Sequence, residues 1–154
     1  MPDTSLRERI SAELKDAMKA KDQVRLDALR SALSAFSYRK IEAGRELAGD
    51  EQVDVVRKLI KQRSDSIVEF ERAGRTDLVE KESRERDILT ALVPAQKGAE
   101  DIRPAVRAAL EAMAPAERNV GAAMKTLLPQ LKGETDGATI RTVVLEELKS
   151  LGSA

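Results

Sequence analysis

Apolar residues return at helical spacing along almost the entire chain, and no segment shows the apolar–polar alternation of a half-buried β-strand. The first such row of apolar residues is Leu6, Ile10 and Leu14. At the start of this row, Ser5 and Glu8 have the three-residue spacing of a helix-capping box. Further rows of the same period follow, separated by Gly, Pro, Asp and Thr residues that begin or end helices. The pattern therefore predicts an all-α protein with seven helices.

The predicted helices fall into two groups. Four rows occupy the chain up to Pro94, and three rows come after residues 94–99, the sole sustained break in the period. We therefore expect an N-terminal bundle of about four helices in residues 1–95, a linker at residues 96–99 and a smaller C-terminal three-helix domain in residues 100–154.

Glycines, prolines and capping residues predict the helix ends. Gly74 is expected to end the third helix as a C-terminal glycine. In the C-terminal part, Pro104 is expected in the first turn of the fifth helix, and Pro129 is expected to end the sixth. Asp136 or Thr139 can cap the seventh helix.

Composition excludes several classes of site. The 154 residues include no Cys and no His, which excludes a disulfide framework, a zinc knuckle, a thiol nucleophile and the usual general base near neutral pH. We expect no cofactor and no metal. Lys plus Arg and Asp plus Glu both number 27, so any affinity for nucleic acid must come from a local basic patch.

The sequence also predicts a location. No run of about 18 apolar residues is present, so we expect no membrane-spanning helix. Residues 1–5 lack the basic region followed by an apolar region that begins a secretory signal peptide. We therefore expect a cytoplasmic protein that does not associate with a membrane.

Two charged residues interrupt apolar rows. Arg63 lies on the row of Ile60 and Ile67 in the third helix, and Glu85 lies on the row of Leu89 in the fourth. A charge inside a helix interface is costly unless it is paired, and a planar guanidinium suits a carboxylate. We expect a structural ion pair between the two helices. A site for an anionic substrate is the alternative.

Arg57, Lys58 and Lys61 form the densest basic patch, within about one helical turn. Asp54 and Asp65 lie one turn away on either side and partly neutralise the patch. It fits either a solvated helix face or a contact with nucleic acid or an acidic partner. Because the chain has one Tyr and two Phe, little is available to stack on unpaired bases, which argues against a reader of single strands.

The C-terminal part contains a second candidate site. Gly121, Met124 and Lys125 fall in one short helical stretch, and Lys132 and Gly133 follow. Lysines and glycines at this spacing suit contact with a phosphate backbone, with Met124 anchoring the helix in its own domain. Gly121 is equally suited to close helix packing, and Gly133 to a turn after a helix. Both interpretations are open.

Three ordered blocks of the sequence resemble the GatB/YqeY family. The first block is residues 14–22. The second is residues 58–66 with Phe70 and residues 73–78, and it closes at residues 92–94. The third is residues 119–125 followed by residues 132–137. This family joins free-standing YqeY-like proteins to the tail of the GatB subunit of glutamine-dependent tRNA amidotransferase. The sequence departs from the family pattern at Ala91, Ala122 and Glu134.

The resemblance implies an accessory protein without activity of its own, associated with an amidotransferase, which is a carbon–nitrogen ligase that uses glutamine as amido donor. It implies two partners. The first is tRNA, which would be held by Gly121, Lys125, Lys132 and Gly133. The second is an amidotransferase or an aminoacyl-tRNA-related protein. No nucleophile with a base and an orienting group stands out in the sequence. The alternative function is a protein-interaction module that docks on a partner enzyme without touching RNA.

Overall fold

The computed structural model describes residues 5–152. These residues form seven α-helices and one short 3-10 helix and include no β-strand, so the predicted all-α class is confirmed. Residues 1–4, which belong to the segment used to predict the location, lie outside the described part. The helices are α1 (Leu6–Ala20), α2 (Gln23–Ala43), α3 (Gly49–Arg72), α4 (Thr76–Thr90), α5 (Ala99–Glu111), α6 (Val120–Gln130) and α7 (Gly137–Gly152), and the 3-10 helix is Pro115–Glu117.

The chain divides into two compact units, Met1–Pro94 and Ala95–Ala154. Unit 1 contains α1 to α4, and unit 2 contains α5 to α7. The division falls next to the linker expected at residues 96–99, of which Ala99 is already the first residue of α5.

The first two helices begin at their capping residues. Ser5 Oγ accepts a hydrogen bond from the Glu8 amide at 3.2 Å, and Glu8 Oε2 accepts one from the Ser5 amide at 3.1 Å, which is the capping box expected for α1. Asp22 Oδ1 accepts from the Arg25 amide at 3.1 Å and caps α2. Lys21, between the two helices, has a left-handed φ of 56°, which reverses the chain within two residues.

Two prolines lie deeper in their helices than predicted. Because α5 begins at Ala99, Pro104 lies in its second turn rather than its first. Pro129 does not end α6, which runs one residue further. A proline near the end of a helix removes one backbone hydrogen bond but leaves the next available. The amide of Leu131 accordingly still donates to the Leu127 carbonyl at 2.9 Å.

Unit 1 is built around an apolar core to which all four helices contribute. The small residues Ala28 and Ala32 of α2 are fully buried, which lets neighbouring helices approach closely. Gln52 of α3 ties the start of α1 to α3, because its Oε1 accepts from the Arg7 amide at 3.1 Å. The buried core residues are Ile10, Ala17, Leu26, Ala28, Leu29, Ala32, Phe36, Val56, Leu89 and Leu92.

Unit 2 has a separate core, in which α5 and α6 both pack against α7. Asp136 caps α7, since its Oδ1 accepts a hydrogen bond from the Thr139 amide at 2.6 Å. The core fixes which face of α6 is turned outward. Its buried residues are Ile102, Val106, Leu110, Ala123, Leu127, Leu131, Ile140, Val143 and Val144.

Candidate functional site

The second candidate site of the sequence lies on α6, which is positioned by one buried face. Asn119 caps the helix, because its side-chain oxygen accepts a hydrogen bond from the Ala122 amide at 2.8 Å. Ala123 and Leu127 are fully buried in the core of unit 2, and Met124 packs against that core. The opposite face of α6 is thereby turned to solvent.

Gly121, Lys125, Leu128 and Lys132 occupy this outer surface, which we call the α6 face. Gly121, Lys125 and Leu128 follow one another at intervals of four and three residues, so they lie on one side of the helix, and Lys132 lies in the turn that follows. All four are exposed. Lys125 lies within α6, and Lys132 lies two residues after the last residue of the helix, Gln130. Both lysines are therefore exposed on unit 2, Lys125 on the helix and Lys132 on the turn after it.

The two glycines have different roles in the local structure. Within the described residues, a Cβ added at Gly121 would meet only Asn119 Oδ1, at 3.3 Å, and no atom of another helix. The interpretation that Gly121 allows close helix packing therefore has no contact to support it. Gly133 has a φ of 80°, in the left-handed region that favours glycine, as the turn interpretation requires.

The turn that follows α6 is tied to the segment before α5. Lys97 Nζ lies 3.0 Å from Glu134 Oε1, and the Lys97 amide donates to the Glu134 carbonyl at 2.7 Å. The Thr135 hydroxyl donates to the Lys97 carbonyl at 2.8 Å. Glu134, one of the departures from the family pattern, is therefore the partner of Lys97. These bonds also fix the turn that presents Lys132.

The basic patch of α3 is divided in the structure. Lys58 and Lys61 are exposed, whereas Arg57 is half-buried and its Nη2 donates a hydrogen bond to the Pro94 carbonyl at 3.2 Å. α4 ends at Thr90, and the guanidinium holds the turn that follows. Two lysines rather than three cations therefore face outward at this position.

Arg63 and Glu85 lie together at the interface of α3 and α4. Arg63 Nε is 3.2 Å from Glu85 Oε2, and the two side chains retain 14% and 6% of their accessible surface. Arg63 Nη2 also donates to Ser31 Oγ of α2 at 3.1 Å. Lys81 Nζ lies 3.9 Å from the second oxygen of Glu85. The guanidinium is thus engaged by groups from two other helices, which favours the structural interpretation over an anion site.

A second charged network, between α5 and α7, was missed by the sequence analysis. Glu147 is buried, and its carboxylate accepts hydrogen bonds from Arg103 Nη1 at 3.0 Å and from Arg107 Nε at 2.9 Å. Arg103 also pairs with Glu100 at 2.9 Å and with Glu146 at 2.7 Å. Five charged side chains therefore join the two helices.

The sequence did carry a signal for this network. Glu147 lies seven residues after Ile140, on the buried row of α7, just as Arg63 lies on an apolar row of α3. The hydrogen bond from Arg103 holds the pKa of Glu147 below its usual range, and Arg107 acts in the same direction against the effect of burial. Glu147 is therefore an ionised carboxylate inside unit 2.

Two kinds of site are absent from the described part of the chain. Within residues 5–152, no group of three or more acidic side chains is arranged to hold a metal ion. No helix in that range is both long and apolar enough to cross a membrane. Of the predicted site residues, those of the α6 face form the most coherent outward-facing group.

Comparison with protein families identifies the class of protein that this fold represents. A family described as Yqey-like protein matches residues 7–148, which include all or most of each of the seven helices. The chain belongs to the YqeY-like family.

Curated relatives carry the name altered inheritance of mitochondria protein 41, mitochondrial. The relative from Pyrenophora tritici-repentis is 32% identical over 136 residues, which cover 86% of this chain and 74% of the relative. That from Kluyveromyces lactis is 43% identical over 100 residues, 61% of this chain and 54% of the relative. The relative from Saccharomyces cerevisiae strain YJM789 is 43% identical over 81 residues, which cover 52% of this chain and 44% of the relative. The chain thus spans about half the length of the last two relatives.

The predicted cytoplasmic location is wrong by this comparison, because the relatives are named as mitochondrial proteins. The prediction rested on the absence of a secretory signal pattern. Mitochondrial targeting segments are amphipathic and rich in Arg and Ser instead of having an apolar central region. The absence of the secretory pattern therefore does not distinguish the cytoplasm from mitochondria.

Proposed function

We propose that this protein is a non-catalytic accessory factor whose unit 2 contacts tRNA through backbone phosphates. The observation that carries the proposal is the α6 face, where Lys125 of the helix and Lys132 of the turn after it are both exposed. Two exposed cations close together in the chain suit neighbouring phosphates of a folded RNA. Gly121 and Gly133 place little bulk around them, which suits close approach of a sugar–phosphate backbone.

Family membership supports the same proposal. The α6 face lies in the part of the chain that resembles the tail of the amidotransferase subunit, so an amidotransferase or another aminoacyl-tRNA-related enzyme is the proposed protein partner. The names of the curated relatives place those proteins in mitochondria, and we propose the same location for this protein. The proposal assigns binding, and no reaction, to this chain.

A charge-reversal experiment tests the RNA contact. Lys125→Glu combined with Lys132→Glu should weaken tRNA binding regardless of tRNA sequence, because phosphate contacts carry no base information. The slope of log affinity against log salt is negative, and each lost contact should reduce its magnitude by about 1. In the double variant the magnitude of the slope should therefore fall by about 2. Binding is measured by titration of labelled tRNA at several salt concentrations.

The matched control is Lys15→Glu combined with Lys19→Glu, which makes the same charge change at exposed positions of α1 in unit 1. This control should retain most of the affinity. Equal losses in the two double variants would indicate a general charge effect and contradict a site on the α6 face. Absence of tRNA binding by the wild type at low salt would leave the protein-interaction module as the better account.

A further inference from the structure

Unit 1 carries an exposed apolar surface that its own core does not use. Tyr38 and Ile41, on the last turns of α2, keep 70% and 79% of their accessible surface. Tyr38 is the single tyrosine of the chain. Large apolar side chains exposed side by side on a helix are characteristic of contact surfaces, and tyrosine is among the residues that most often dominate binding energy.

A groove of about 530 Å³ lies between α2 and α3, and Tyr38 is one of the residues that line it. Tyr38 forms part of its wall, and Ala35, Val55 and Leu59 give it an apolar floor. Val55 and Leu59 pack against the core of unit 1 from below, so the floor is fixed by the fold. A projecting aromatic side chain and an apolar groove thus lie next to each other on one surface, which we call the α2–α3 groove.

The charges at the rim of the groove indicate what kind of surface would cover it. Of the residues that line the groove, Arg39 and Glu42 pair with each other at 3.1 Å, and Glu51 pairs through two bonds of 2.8 and 2.7 Å with Arg45, which is not itself a lining residue. These four groups therefore neutralise one another within the chain. The rim carries no excess of one sign that would favour a nucleic acid or a strongly acidic peptide.

Asp54 and Lys58 are the remaining charged groups that line the groove. They are exposed and lie one helical turn apart on α3. Within residues 5–152 neither forms an ion pair with another residue. A two-fold axis that crosses α3 between them would make the two copies of α3 antiparallel. Asp54 of each copy would then face Lys58 of the other, so the surface is complementary to itself.

We propose that the α2–α3 groove is a homodimer interface, and that its occupant is the same surface of a second copy of this chain. Tyr38 of each copy enters the groove of the other, and two ion pairs between Asp54 and Lys58 set the antiparallel register. This inference concerns unit 1 and is independent of the RNA contact proposed for unit 2. A monomeric protein could still bind tRNA, and a dimer could fail to bind it.

The test uses the full chain in sedimentation experiments from about 1 µM to about 1 mM protein, the range over which an interface of moderate affinity is populated. The wild type should form dimers. Tyr38→Glu should weaken dimerisation roughly 30-fold or more, as expected for a central aromatic residue. The matched control, Met18→Glu, replaces a large apolar residue of α1 that is 53% exposed outside the groove, and it should dimerise like the wild type.

Charge exchange tests the two-fold geometry itself. Asp54→Lys alone and Lys58→Asp alone should each weaken self-association by roughly 10-fold, because like charges then face each other across the axis. Mixing the two variants should restore dimers, because each Lys of one variant meets an Asp of the other. Circular dichroism should be unchanged in every variant, since all the positions are exposed. A wild type that stays monomeric, equal behaviour of the Tyr38 and Met18 variants, or a mixture that does not associate would each overturn the proposal.

Discussion

Arg63 occupies a position where the helical period of α3 favours an apolar side chain. Its guanidinium lies 3.2 Å from Glu85 and 3.1 Å from Ser31, so one residue links α2, α3 and α4. Ion pairs of this kind add little net stability compared with apolar side chains, but loss of one partner leaves a buried charge uncompensated. Arg63 therefore specifies how the three helices fit together more than it strengthens them.

Replacement of Arg63 tests this role. Arg63→Ala should lower the free energy of unfolding by about 3 kcal/mol, because Glu85 keeps its charge in a site that is almost closed to water. Arg63→Met combined with Glu85→Leu should cost much less, since neither charge remains. The measurement is urea unfolding of each variant at neutral pH.

The control for these variants is Arg84→Ala, which removes an exposed arginine next to Glu85 in the sequence. It should change the free energy of unfolding by about 0.5 kcal/mol or less. A loss in the Arg63→Ala variant no larger than that of the control would show that the buried pair does not constrain the packing of α3 on α4.

At the scale of helices, the pairing of α5 with α7 depends on charge as well as on apolar contact. Glu147 is buried among the core residues of α7, and two arginines of α5 reach it across the interface. Both arginines keep part of their surface in water, so they neutralise the carboxylate without being fully desolvated themselves. We therefore expect the contact of α5 with α7 to be sensitive to acid.

The expected acid sensitivity follows from the lowered pKa of Glu147. A carboxyl group whose folded pKa lies below its unfolded value of about 4.5 stabilises the fold at higher pH, and the effect is lost as pH falls through the folded pKa. Glu147→Gln should destabilise unit 2 by about 1–2 kcal/mol at pH 7. The difference from the wild type should shrink as pH falls below about 4.5.

Urea unfolding at a series of pH values between neutral and acid measures this effect. Glu51→Gln is a suitable control in unit 1, where a hydrogen bond from Arg45 and one from the Ala48 amide lower the pKa of Glu51 to about 2. The Glu51→Gln variant should change the stability of unit 1, whereas Glu147→Gln should change the stability of unit 2. A Glu147→Gln variant whose deficit relative to the wild type is the same at every pH would rule out the ionised carboxylate as the cause.

The whole molecule contains two cores that are each complete within one stretch of sequence. All buried residues of the first core lie between residues 10 and 92, and those of the second lie between residues 102 and 144. Each core therefore closes without apolar side chains from the other unit. This favours independent folding of the two units.

Expression of residues 1–95 alone tests that expectation. The fragment should give a helical circular-dichroism spectrum and one cooperative thermal transition, because its core is intact. Leu29→Ala, at a fully buried position, should lower stability by about 2–5 kcal/mol in the fragment and by a similar amount in unit 1 of the full chain. A molten or insoluble fragment would show that unit 2 completes the fold of unit 1.

Much of the fold could be predicted from sequence because helix formation depends on residues within about four positions of each other. Ser5 with Glu8 has the spacing of a capping box and makes the expected hydrogen bonds, and of the two candidate caps of α7, Asp136 and Thr139, it is Asp136 that caps the helix. Arg63 was recognised as unusual because it falls on an apolar row. Glu147 gave the same signal, and it was overlooked.

The arrangement of the candidate sites depended on residues far apart in sequence, which no local pattern relates. The bond from Arg57 to Pro94 divides the basic patch of α3, and Lys97 of the expected linker is fixed to Glu134 across 37 residues. The sequence by itself determined the helices, their caps and the face that each one buries, since these follow from spacing along one chain segment. Only the tertiary structure decided which charges are neutralised and which remain outward, because pairing depends on distances between helices.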